Sequence, residues 1–156
     1  MKFIEFVSEY NLIPFGSALK LGIPFSIASI GKIRSNPKVI SSICKIDVIM
    51  SQEQQSAVNI ISEYINKFTA FLLHGITGSG KTEVFLEIAK QLFNKNKQIL
   101  ILVPEISLSN SLAEKISKRC NTEVFIWHTS INTGTKFEIW SKAINSESLI
   151  VVGARD

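Results

Sequence analysis

Eight consecutive residues carry the most legible chemistry in the chain: Gly75-Ile76-Thr77-Gly78-Ser79-Gly80-Lys81-Thr82. They fit the pattern G-x-x-x-x-G-K-[ST], a phosphate-binding P-loop. Gly75, Gly78 and Gly80 permit backbone angles and a close approach that a Cβ would forbid. With those angles the amide N–H groups turn inward around phosphate oxygens, and a following helix adds positive potential from its N-terminus. Lys81 is positioned to reach the terminal phosphates as a point charge, and Thr82 to offer its hydroxyl to Mg²⁺. All eight residues are therefore expected to hold ATP or GTP, with Lys81 and Thr82 also acting in catalysis and Thr82 as the metal ligand.

A loop of this kind works only between a strand and a helix. The apolar run Phe71 to His74 is expected to be the strand that feeds it, and a helix is expected from about Lys81, with Val84, Phe85, Ile88 and Leu92 on one side. Upstream, Ser51 and Gln54 have the spacing of a capping box, in which each residue satisfies an orphan amide of the helix start. That helix would carry Ala57, Val58, Ile61, Tyr64, Ile65 and Phe68 along one face. Three more strand-length runs follow, Gln98 to Val103, Glu123 to Trp127 and Ser148 to Val152. Between them lie a helical stripe of Leu112, Ala113 and Ile116, opened by a second capping box at Ser111 and Glu114, and a third helix near Lys136 to Ile144. Strands apolar on both faces that alternate with helices imply a parallel sheet covered by helices. Residues 48–156 thus read as α/β.

Residues 1–47 read differently. Phe3, Ile4, Phe6, Val7 and Tyr10 make a helical stripe. Pro14, Gly16, Gly22, Pro24, Gly31 and Pro37 then punctuate short apolar pieces, and Ile33 to Lys38 has the look of a loop or small wing. This zone reads as a small, mainly helical module.

Composition narrows the class. Hydrophobic residues make up 46% and charged residues 19% of 156 positions, a globular balance rather than a disordered one. The net charge of +4 permits a polyanionic partner without requiring one. Cys44 and Cys120 form no C-x-x-C pair, so zinc is not expected. Two free thiols suit a reducing cytoplasm. Glu5 and Glu9 interrupt the first apolar stretch, and Leu21 to Ile30 is too short to span a bilayer. A soluble, cytoplasmic protein without a membrane partner is expected.

The residues around the loop add a resemblance. Leu73-His74-Gly75-Ile76-Thr77-Gly78-Ser79-Gly80-Lys81-Thr82-Glu83-Val84-Phe85-Leu86, followed one strand later by Val103-Pro104-Glu105-Ile106-Ser107-Leu108, resembles the bacterial replication-restart helicases of the primosomal protein N-prime family. His128-Thr129-Ser130 and Ile150 to Arg155 agree in order and spacing. The resemblance implies a RecA-like P-loop NTPase lobe over 48–156, preceded by part of a winged-helix-like segment. It implies a DNA-dependent ATPase and 3′-to-5′ helicase of primosome assembly that uses ATP and Mg²⁺ on single-stranded or forked DNA. It assigns Gln54 to the adenine edge, although capping its helix is an equally good reading of that residue. It places Glu105 and Arg155 near DNA. Trp127, Trp140, His74 and His128 are expected to serve packing or hydrogen bonding.

No apolar strand ending in Asp-Glu follows the P-loop in this sequence. By the resemblance, that acidic strand, the second motor lobe and the zinc-binding cysteines lie outside it. An internal fragment is expected, either one part of an enzyme completed by another fragment or a nucleotide-binding relic without turnover. Phe71 to His74 would then have an open side, and Phe85, Ile88 and Leu92 would lack cover.

Overall fold

A computed structural model describes residues 2–22, 39–40, 49–145 and 147–154. The expected wing at Ile33 to Lys38, Cys44 and Arg155 lie outside the described residues. Near the N-terminus, α1 (Lys2–Tyr10) and α2 (Phe15–Gly22) pack on each other. The expected stripe of α1 is helical, but Phe3, Phe6 and Tyr10 are exposed, with Phe6 stacked on Tyr10. Within the zone read as mainly helical, Val39–Ile40 forms a two-residue strand, β1.

The remaining elements are α3 (Gln52–Glu63), α4 (Lys81–Asn94), β2 (Ile99–Val103), α5 (Ile106–Cys120), β3 (Val124–Trp127), α6 (Thr133–Ile144) and β4 (Ile150–Ala154). The sheet order is β1-β3-β4-β2. β4 runs parallel to both β2 and β3, with Ile101 and Ile126 each opposite Val152, while β1 is antiparallel to β3. The alternating strand and helix pattern thus produces a parallel three-stranded sheet with helices on both faces, a partial RecA-like lobe.

Strand alternation sorts the core into two layers. On one face Ile99, Val124, Ile126, Ile150 and Val152 meet Leu86 and Ala89 of α4 and Ala113 and Ile116 of α5. On the other, Phe125 and Val151 meet Ile139 of α6 and Leu149. Trp127 packs partly buried against that second cluster, in keeping with a packing role.

Two expectations are corrected. Phe71 to His74 forms no strand; it has no β partner among the described residues, and Leu72 is 91% exposed. Apolar composition makes a strand only where a neighbouring backbone completes the ladder, and β2 is paired on one edge alone, to β4. The helix after β2 begins at Ile106 rather than at a Ser111 cap. Its N-cap is Glu105 in an extended conformation, so Ser111 and Glu114 fall inside α5. The capping-box spacing there is coincidental, because the turn after Val103-Pro104 already starts the helix.

Beneath α4, Phe85, Ile88, Leu92 and β2 line a groove of about 460 Å³. Phe85 is exposed, whereas Ile88 and Leu92 are half-buried.

Candidate nucleotide site

The loop is built by its glycines and by the helices on either side. Gly78 has φ +82° and Gly80 φ +79°, the left-handed region that side-chain-bearing residues rarely adopt. Gly80 is also the N-cap of α4. The amides of Lys81 and Thr82 precede the first hydrogen bond of that helix, in which Glu83 N donates to Gly80 O at 2.9 Å, and amides in that position suit an anion. Ser79 N donates to Ile76 O at 3.2 Å and closes the turn. At Gly75 a Cβ would meet Ser79 Oγ at 2.8 Å, and that hydroxyl would have to rotate away.

Lys81 reaches from the start of α4 back across the loop. Its Nζ donates to Gly75 O and Ile76 O, both at 2.7 Å. The ammonium is thus held within the turn of the loop, where a terminal phosphate would meet it. Thr82 is exposed at the next position, and its hydroxyl is a hard oxygen donor of the kind Mg²⁺ takes. Ile76, Thr77, Gly78 and Ser79 are exposed, so the loop is open to a ligand from solvent.

Gln54 sits beside the loop because α3 packs on α4. The expected capping box is present: Ser51 Oγ accepts from Gln54 N at 3.2 Å, and Gln54 Oε1 accepts from Ser51 N at 2.9 Å. The other end of the same side chain does something the spacing did not announce. Gln54 Nε2 donates to Ser79 O at 3.3 Å and to Gly80 O at 3.4 Å.

A feature missed from sequence lies where α4 packs on α5. Arg119, near the end of α5, forms ion pairs with Glu83 and, at 3.3 Å, with Glu87. The guanidinium side chain is only 6% exposed. Glu83 directly follows Thr82 and stands one turn from Glu87 on α4. The i,i+4 spacing of the two carboxylates was visible, but their cation is 36 residues further on from Glu83 and 32 from Glu87.

The other candidates are distributed as follows. Glu105 is exposed, and its carboxylate accepts from Ser107 Oγ at 3.0 Å. The start of α5 and the segment after β3 meet in a cleft of about 300 Å³ lined by Ile106, Ser109, His128, Ser130 and Asn132. His128 is half-buried, and its Nδ1 has no hydrogen-bond partner among the described residues. His74 is exposed. No cluster of metal-ligating His, Cys, Asp and Glu occurs among the described residues, and none of their helices is long and apolar enough to cross a membrane.

This arrangement agrees with comparison to known proteins. The family described as type III restriction enzyme, res subunit, matches residues 47–154. The chain belongs to this family. Several of its relatives share one name. It is 35% identical to replication restart protein PriA of Rickettsia felis over 155 residues, which is 99% of this chain and 23% of that protein. It is 38% identical to replication restart protein PriA of Bacillus subtilis over 108 residues, 68% of this chain and 13% of that protein. Similarity to the protein of the same name from Helicobacter pylori is 28% over 155 residues, again 99% of the chain and 23% of the relative. The chain therefore spans less than a quarter of the length of these relatives. The resemblance to primosomal helicases noted in the sequence is the same relationship. It extends through the N-terminal zone as well as the res-subunit region.

Proposed function

We propose that this chain is the ATP-binding segment of a DNA helicase of replication restart. The observation that carries the reading is the loop itself: two left-handed glycines, an open helix N-terminus, and Lys81 Nζ held 2.7 Å from the carbonyls of Gly75 and Ile76. Gly75 to Thr82 hold the phosphates. Lys81 neutralises the terminal ones, and Thr82 carries Mg²⁺. Gln54 braces the loop from α3, with adenine reading as the alternative role of the same side chain.

The name shared by these relatives supports a role in replication restart; single-stranded or forked DNA as the partner, 3′-to-5′ movement and primosome assembly in the cytoplasm are what the sequence resemblance implies. On this reading DNA phosphates approach the start of α5 and the cleft by His128, where amides rather than the Glu105 carboxylate suit an anion. Arg155, by the sequence resemblance, would add a further DNA contact. A complementing fragment would supply the rest of the motor.

A second reading, nucleotide binding without turnover, is favoured by one feature. Glu83, the only acid in the first turn of α4, is engaged by Arg119 and is not free to hold Mg²⁺ or to orient water. The deciding experiment is ATP hydrolysis by the 156-residue chain with and without single-stranded DNA. Retention of labelled nucleotide without DNA-stimulated turnover is expected for the chain by itself. Turnover approaching about 1 s⁻¹, the low end of ordinary enzymes, would show that it holds a complete catalytic set. Failure to retain any nucleotide would overturn the proposal.

A further inference from the structure

The phosphate loop has a neighbour whose charge it has to tolerate. Glu83 follows Thr82 immediately, and its amide donates to Gly80 O at 2.9 Å, so its backbone is part of the turn that leaves the loop. Its carboxylate adds a negative charge to the first turn of the helix that leaves the loop. It is also one turn from Glu87, and like charges at this spacing repel.

Arg119 answers both. It reaches from α5 to α4, lies almost wholly out of water and pairs with Glu83 and Glu87 together. Its place in the last turn of α5 is favourable for a cation, because the helix dipole is negative there. Lysine would not serve equally well, since a planar fork can address two carboxylates where an ammonium is a single point. The pairing also joins the last turn of α5 to the first turn of α4.

We infer that Arg119 is a positioning residue of the nucleotide site: it neutralises and holds the Glu83 carboxylate at the start of α4, so that the loop accepts a polyanion. Arg119 touches no nucleotide in this account. It acts through Glu83, and the inference rests on the proposed nucleotide binding at Gly75 to Thr82. One unit of unbalanced charge about 10 Å from a phosphate group, at an effective dielectric near 20, is worth a factor on the order of ten in affinity.

The test is calorimetric binding of ATP and of ADP to the 156-residue chain and to three variants: Arg119→Met, Glu83→Gln, and the two combined. Arg119→Met is expected to weaken ATP on the order of tenfold and ADP by less, because the exposed carboxylate penalises each added phosphate charge. Glu83→Gln in the same chain is expected to restore ATP binding to within about threefold of the original, since the offending charge has gone. Loss of binding to both nucleotides alike, without recovery in the double variant, would show that Arg119 only holds α5 against α4 and would overturn the inference. So would an Arg119→Met variant that binds both nucleotides as the original does. If Arg119→Met does not fold, Arg119→Lys keeps the charge while losing the fork. It is expected to show the same ordering of ATP and ADP in milder form, and equal loss of the two would again overturn the inference. A parent chain that binds neither nucleotide would refute the proposed site itself, a result separate from any of these.

Discussion

Gln54 and Gly80 are 26 residues apart in sequence, yet the Gln54 Nε2 donates to the Gly80 carbonyl oxygen at 3.4 Å. The same side chain closes the capping box that starts α3. One glutamine therefore begins a helix and buttresses the phosphate loop, and its oxygen and its nitrogen both have backbone partners. A Cβ at Gly80 would lie 2.1 Å from that nitrogen, so a side chain there would push the Gln54 amide off the loop, while the φ of +79° is what favours glycine.

From this contact, Gln54→Ala should weaken ATP and GTP to a similar degree, because it removes a brace and not a base contact. The Ser51 cap stays, since it accepts from the backbone amide of residue 54; loss of the reciprocal bond to Ser51 N should cost roughly 0.5–1 kcal/mol of stability. Competition between the two nucleotides, measured on both proteins, checks this. A selective loss of ATP would assign Gln54 to the adenine edge instead.

Backbone pairing predicts a sharp contrast in amide exchange. Phe71 to His74 has no ladder partner among the described residues, whereas Ile150 to Val152 is flanked by β2 and β3. Exchange should be fast across the first segment and slow across the second, since protection follows local opening. Comparable slow exchange in both would mean that Phe71 to His74 is paired in solution.

Cys120 should be an inert thiol. Burial, only partly opposed by the positive charge of Arg119 and Lys90, pushes its pKa up from 9.0 to about 11. The thiolate is the reactive form. Alkylation at pH 8, followed by mass spectrometry, should be much slower in the folded chain than in denaturant. The sign of the stability effect follows: the folded state holds this proton more tightly. Its contribution is full below about pH 9 and is lost as the pH rises towards 11. Equal alkylation rates in the folded and denatured chain would contradict this.

Much of this site was readable in advance because its signals are local. The glycine spacing and the Ser51–Gln54 capping box are short-range patterns: Gly78 and Gly80 took left-handed angles, Gly75 did not, and the capping box formed. Apolar runs at 98–103, 123–127 and 148–152 became strands because each found a parallel neighbour. Phe71 to His74 has the same composition, but strand formation depends on what stands beside it, and a single run of residues does not contain that. The Arg119 pairings were hidden for the same reason. Nothing near Arg119 in sequence marks it, and the carboxylates it meets are brought to it only when α4 and α5 pack. The start of α5 was misplaced because Ser111 and Glu114 match a cap by spacing alone, while the turn at Pro104-Glu105 set the real beginning.

The central claim is that Gly75 to Thr82 bind nucleotide phosphates through Lys81. Calorimetric titration of the chain and of Lys81→Ala with ATP, each with and without Mg²⁺, tests it most directly. Measurable binding by the parent chain, strengthened by Mg²⁺, is expected, with loss of most of the affinity on removing the ammonium that lies 2.7 Å from the Gly75 and Ile76 oxygens. Equal binding by both proteins would contradict it.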